Sequence, residues 1–96
     1  MRSSAALRWT MGDRLRKARE VAGLTQAEVA AELRARGIKC KGHSTVSMWE
    51  TGTQPRNLER VLEAWGDICD VPAAWLFSGD ANALALSGQY EIRLVA

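Results

Sequence analysis

The sequence predicts an all-α fold of five short helices, and three observations carry that prediction. Two capping-box templates, Thr10-Met-Gly-Asp13 and Thr25-Gln-Ala-Glu28, mark helix starts. Glycines stand where apolar periods stop, at Gly23, Gly37, Gly52 and Gly79, the places for C-terminal caps. Leu58, Val61, Leu62, Trp65 and Ile68 repeat at the spacing of an amphipathic helix buried on one side.

Taken in order, the first helix follows Thr10 and places Met11, Leu15, Ala18 and Ala22 on one face. Leu24 and Val29 bracket the second start as a hydrophobic staple, and Val29, Ala30 and Leu33 continue its apolar face. Gly37 ends that helix and puts Leu33 and Ile38 in the apolar contact of a Schellman motif. A basic connection, Lys39-Cys-Lys-Gly42, leads to a third helix from His43 to Thr51, with Val46 and Trp49 facing inward. Thr53-Gln-Pro-Arg56 reads as a turn, and Asn57 as the N-cap of the fourth helix. Pro72 suits the first turn of a fifth helix that bears Trp75, Leu76 and Phe77. The domain is expected over residues 10–79, between an N-terminal arm (1–9) and a tail (80–96). In the tail, Tyr90, Ile92 and Leu94 alternate with Glu91 and Arg93, the period of a β-strand over 88–95. A lone strand needs a partner strand, so this segment is a candidate dimerisation element.

Ninety-six residues make one small domain with little room for a large concave active site. Net charge is only +2, but residues 1–60 hold twelve of the thirteen Lys/Arg against six acidic residues, a net of +6. Residues 61–96 hold one basic and five acidic residues, a net of −4. Such segregation suggests an anionic partner for the first part and a protein neighbour for the second. No apolar run has the length of a membrane span or of a signal peptide, so a cytoplasmic, non-membrane protein is expected. Cys40 and Cys69 are too few for a disulfide framework and read as reduced, packed thiols. Cys40 and His43 have metal-like spacing, but only Cys69 adds a third soft ligand where structural zinc takes four, so no metal is expected. The single histidine has no nucleophile–base partners, and Trp49, Trp65 and Trp75 read as core or contact residues with Trp9 unplaced, so neither enzyme activity nor a cofactor is expected.

Short helices joined near residue 40 suggest a helix-turn-helix unit, although a generic bundle satisfies the same periodicity. Residue identity separates the two. Leu24-Thr-Gln-Ala-Glu-Val-Ala30 and Ser44-Thr-Val-Ser-Met-Trp-Glu-Thr-Gly52 closely resemble the phage repressor/Cro-like (XRE-type) helix-turn-helix domains. Pro55, Leu58, Leu62 and Trp65, then Val71-Pro-Ala-Ala-Trp-Leu76, resemble that family's fourth and fifth helices. The resemblance spans residues 10–79 and departs at one place: some six extra residues lie between Leu33 and the third helix. They read as one more turn of the second helix and a longer loop.

The resemblance implies a sequence-specific regulator, of phage or prophage repressor type, that reads double-stranded operator DNA through its third helix. His43, Ser44, Thr45, Ser47 and Met48 lie on or beside the outer face left by Val46 and Trp49. Ser and Thr bond several base edges, His donates to guanine, and Met touches a thymine methyl. By resemblance Gln26 contacts the DNA backbone at the start of the second helix, and Thr51, Thr53 and Arg56 are phosphate contacts after the third. Lys39 and Lys41 join them by charge and position, with Arg34 and Arg36 behind. The family's structural ion pair falls on Arg19 and Glu50.

One recognition helix buries little DNA, so a homodimer on two half-sites is expected, joined through the fifth helix or residues 88–95. A rival reading makes the chain an antitoxin-type module of the same fold, its acidic C-terminal third holding a second protein while DNA binding is autoregulatory. Arg93-Leu-Val-Ala96 also resembles the apolar ends of bacterial degradation tags.

Overall fold

A computed structural model describes residues 9–80, and the proposed arm residues 1–8 and strand 88–95 lie outside them. The described part consists of α1 (Met11–Val21), α2 (Gln26–Ala35), α3 (His43–Glu50), α4 (Leu58–Cys69) and α5 (Ala73–Ser78). α3 packs against α1 and α2, whereas α5 packs against α1 and α4. α1 is therefore the element shared by both sides of the molecule.

Local sequence accounts for most helix ends. The hydroxyls of Thr10 and Thr25 accept the N–H groups of Asp13 and Glu28, and both carboxylates accept the threonine N–H in return. Each box thus satisfies two of the donors a helix start leaves free. α2 ends in the expected Schellman motif, with Ile38 N–H donating to the Leu33 carbonyl and Gly37 N–H to that of Arg34, both at 3.0 Å. Gly37 meets the left-handed requirement of this motif with φ of 80°.

Three details depart from the sequence reading. α2 carries only Arg34 and Ala35 beyond Leu33, so most of the extra length belongs to the connection over 36–42 rather than to a further helical turn. The Schellman geometry stops the helix before another turn can form. Asn57 occupies the N-cap of α4, but its side chain makes no cap bond at φ −98° and ψ 64°. Pro72 is the N-cap of α5 rather than its first helical residue. α4 also ends without glycine: Asp70 takes the left-handed conformation, which short polar side chains tolerate better than most.

The core collects Leu15, Val29, Leu33, Val46, Trp65 and Leu76, each fully buried. Trp65 is wholly enclosed and its indole N–H donates to the Leu15 carbonyl at 3.1 Å, so its polar atom is satisfied in the apolar interior. Two helical glycines permit close backbone passage. A Cβ on Gly12 would lie 2.5 Å from the Glu50 carbonyl oxygen, and one on Gly66 would lie 2.5 Å from that of Val71. The first sets the approach of α1 to the end of α3, and the second that of α4 to the chain entering α5.

Arg14 is the unexpected core residue. Its guanidinium donates through Nε to the Leu76 carbonyl (3.0 Å), through Nη1 to that of Trp9 (2.7 Å) and through Nη2 to that of Phe77 (2.8 Å). A cation set on the last carbonyls of α5 complements that helix end and satisfies acceptors the helix leaves open. Burial shifts the Arg14 pKa downward, partly opposed by Asp13.

Candidate nucleic-acid interface

The inward residues of α3 fix what its other face can present. Val46, Trp49 and Glu50 are buried, so His43, Ser44 and Met48 turn to solvent, while Thr45 and Ser47 are half-buried at the margins. Met48 is 52% exposed and is the one apolar side chain on this outer face. The N-cap of α3 is Gly42, which offers no side-chain cap, so the first N–H groups of the helix are not closed off by one. The five residues expected to meet base edges therefore occupy one short helix with a polar outer face and a single apolar probe.

The helix is held from behind by the carboxylate of Glu50. Arg19 donates to it twice, Nε to Oε2 at 2.6 Å and Nη2 to Oε1 at 3.1 Å. Gln26 Nε2 donates to the same Oε1 at 3.1 Å, and Arg19 Nη1 donates to the Leu24 carbonyl at 3.0 Å. One network thus ties α1, the α1–α2 turn, the first residue of α2 and the last residue of α3. The Glu50 hydrogen bond raises the Arg19 pKa above its ordinary value against the opposing effect of burial. Nearby, burial pushes the Cys69 thiol up to about 12 despite the pull of Arg19, so this cysteine is packed and protonated at neutral pH.

Gln26 thus has an internal partner that its sequence position did not reveal. Its amide is oriented by Glu50 at the start of α2, where helix N–H groups favour an anion. Lys39, Lys41, Thr53 and Arg56 are exposed and line one groove together with Thr45 and Met48 of α3. The long connection and the α3–α4 turn therefore bring the expected phosphate contacts beside the expected base contacts. Thr51 is exposed, but its hydroxyl donates back to the Ser47 carbonyl at 2.9 Å, so it must rotate before it can donate to a phosphate. Arg34 and Arg36 are engaged elsewhere: Arg34 Nη1 donates to the Cys40 carbonyl at 3.2 Å, and Arg36 pairs with Glu32 at 2.8 Å.

Sequence reading also passed over Arg16 and Gln54, which share a surface depression with Thr51 at the end of α3.

A family model described as a helix-turn-helix domain matches residues 10–76. The chain belongs to this family. Among curated proteins and solved structures, none matches it. In a helix-turn-helix domain the second helix of the motif lies in the major groove while the first crosses the backbone. The domain marks the protein as DNA-binding.

Proposed function

We propose that the protein is a sequence-specific transcriptional regulator of repressor/Cro-like type that reads operator half-sites with α3 and acts without catalysis or cofactor in the cytoplasm. The observation that carries this reading is the open outer face of α3: His43, Ser44 and Met48 are exposed, while Val46, Trp49 and the Arg19–Glu50 network anchor the opposite side. Ser44, Thr45 and Ser47 contact base edges, His43 donates to a guanine acceptor, and Met48 packs on a thymine methyl. Gln26, Lys39, Lys41, Thr53 and Arg56 hold phosphates on either side, with Thr51 joining after its hydroxyl rotates. α3 has no Arg, Asn or Gln for bidentate base recognition, so DNA shape and bridging water carry part of the specificity.

The functional unit on DNA is a homodimer on half-sites spaced by about one helical turn, roughly 34 Å. Trp9 (46% exposed) and Phe77 (59% exposed) support this, because they leave apolar surface at the α1–α5 side rather than at α3. The test is binding to a selected duplex over a range of salt, with the mass of the complex measured. With six to eight phosphates neutralised per complex, log K falls against log salt with a slope of roughly −5 to −7, and Lys39→Ala, which removes one phosphate contact from each of the two chains, reduces its magnitude by roughly 2. A flat salt response overturns the phosphate assignment, and a complex holding one chain overturns the dimer.

A further inference from the structure

The α2–α3 connection builds more than a link. Over residues 38–41 burial alternates, with Ile38 and Cys40 turned into the protein and Lys39 and Lys41 turned out. Arg34 holds the Cys40 carbonyl, and the Cys40 thiol points to the Gly42 carbonyl at 3.7 Å, so the segment is pinned in this form. Across from it stands the α3–α4 turn with Pro55 and Arg56, and between them lies a groove of about 470 Å³, open on one side. That volume is within the usual range for small-molecule sites, roughly 300–1,000 Å³.

The chemistry of the lining is unequal. Buried Ile38, Cys40, Trp49, Pro55 and Val61 make an apolar floor. Lys39, Lys41 and Arg56 supply three exposed cations, and the lining contains neither Asp nor Glu. A DNA phosphate satisfies the cations but has no apolar body to cover the floor. A neutral apolar compound covers the floor and leaves the cations unused. One ligand class satisfies both: a carboxylate with an alkyl or aryl body.

We infer that the groove between the α2–α3 connection and the α3–α4 turn binds a small amphipathic carboxylate, which competes with DNA for Lys39, Lys41, Arg56 and Met48. The competition rests on the DNA-reading role of α3, while the ligand site itself does not. Ligand in the groove occupies the cations that would hold phosphates and covers Met48, so it releases the protein from DNA.

The probes are hexanoate, octanoate and decanoate below their micellar concentrations, titrated into the full chain and followed by backbone amide shifts. Saturable shifts centred on residues 38–41, 45–49 and 53–56 are expected, with affinity rising roughly two- to fourfold per added methylene. The exposed double substitution Lys39→Glu/Lys41→Glu is expected to weaken octanoate roughly tenfold without lowering Tm. Octylammonium is expected not to bind there. Shifts that do not saturate, that centre elsewhere, or that octylammonium reproduces would overturn the site. Octanoate at saturation is expected to raise the apparent Kd for duplex, and an unchanged Kd overturns the competition. Should no duplex bind at any salt, the DNA reading fails, while the amide shifts still decide the carboxylate site.

Discussion

α1 carries two arginines that hold the molecule together in different ways. Arg19 faces the α3 side and meets a carboxylate, with one backbone carbonyl as a further acceptor. Arg14 faces the α5 side and meets three backbone carbonyls, with no carboxylate among its hydrogen-bond partners. The charge of Arg19 is balanced at its destination, and burial is offset by the bond to Glu50. Arg14 donates its hydrogen bonds to uncharged carbonyls, and Asp13 opposes burial only in part, so burial prevails and its pKa falls. The first arrangement orients α3, the proposed DNA-reading helix, through a side chain of that helix. The second closes the end of a six-residue helix that has little stability of its own.

Glu50→Ala tests the first arrangement and should have the largest effect. It leaves Arg19 half-buried and without its carboxylate, and costs about 3–5 kcal/mol because the Glu50 side chain is only 2% exposed. DNA affinity falls through the fold, and a Tm equal to wild type would reject this. Arg14→Ala comes next, at about 2–3 kcal/mol, because three carbonyls lose a charged donor. Arg14→Lys should recover less than half of the loss, since an ammonium cannot reproduce the planar fork. Full recovery in denaturant unfolding would mean that Arg14 contributes charge alone.

Gly12→Ala probes the common support of both sides. Its Cβ meets the Glu50 and Trp49 carbonyl groups, so α1 must move off α3, at about 1–3 kcal/mol. Amide shifts confined to α1 would contradict that coupling. Alkaline titration examines the Cys69 thiol beside Arg19. Its folded pKa, about 12, lies above the ordinary 9.0, so between these values the unfolded chain sheds a proton that the folded chain keeps. Stability should fall as pH rises through that window, by roughly 1.4 kcal/mol per unit at most, and Cys69→Ala should remove this component. The smallest effect belongs to Thr25→Ala, about 1 kcal/mol, which opens the capping box of α2. Thermal unfolding would place it below the arginine substitutions, and a larger loss would mean that the start of α2 carries more of the fold than its cap.

The two arginines also mark what a sequence can disclose. Arg19 and Glu50 were legible because both partners are side chains whose identities recur in a resembling family. The capping boxes and the α2 stop were legible because each is written within a few adjacent residues, and α4 because its apolar period is long. Arg14 was not legible, since two of its acceptors are carbonyls more than sixty positions away, and any residue supplies a carbonyl. Gly12 and Gly66 looked like ordinary helical positions until the neighbouring backbone was in place. At the candidate interface, the outward face of α3 followed from Val46 and Trp49. The Gln26–Glu50 bond and the diversion of Arg34 to the Cys40 carbonyl depend on tertiary placement that spacing does not encode.

The charge asymmetry of the chain acquires a location as well. Lys39, Lys41 and Arg56 gather beside α3, whereas Glu63 and Asp67 lie exposed on α4. A small average charge therefore conceals a cationic flank on the proposed DNA side.

In the proposed function α3 reads bases while the Arg14 side serves the fold. The measurement that tests it most directly is binding-site selection from random duplexes with the wild type, Ser44→Ala, Met48→Ala and Arg14→Lys. The expected result is a defined motif whose preferred bases change with Ser44→Ala and Met48→Ala and stay the same with Arg14→Lys. A motif unchanged by both α3 substitutions, or none selected by the wild type, would contradict it.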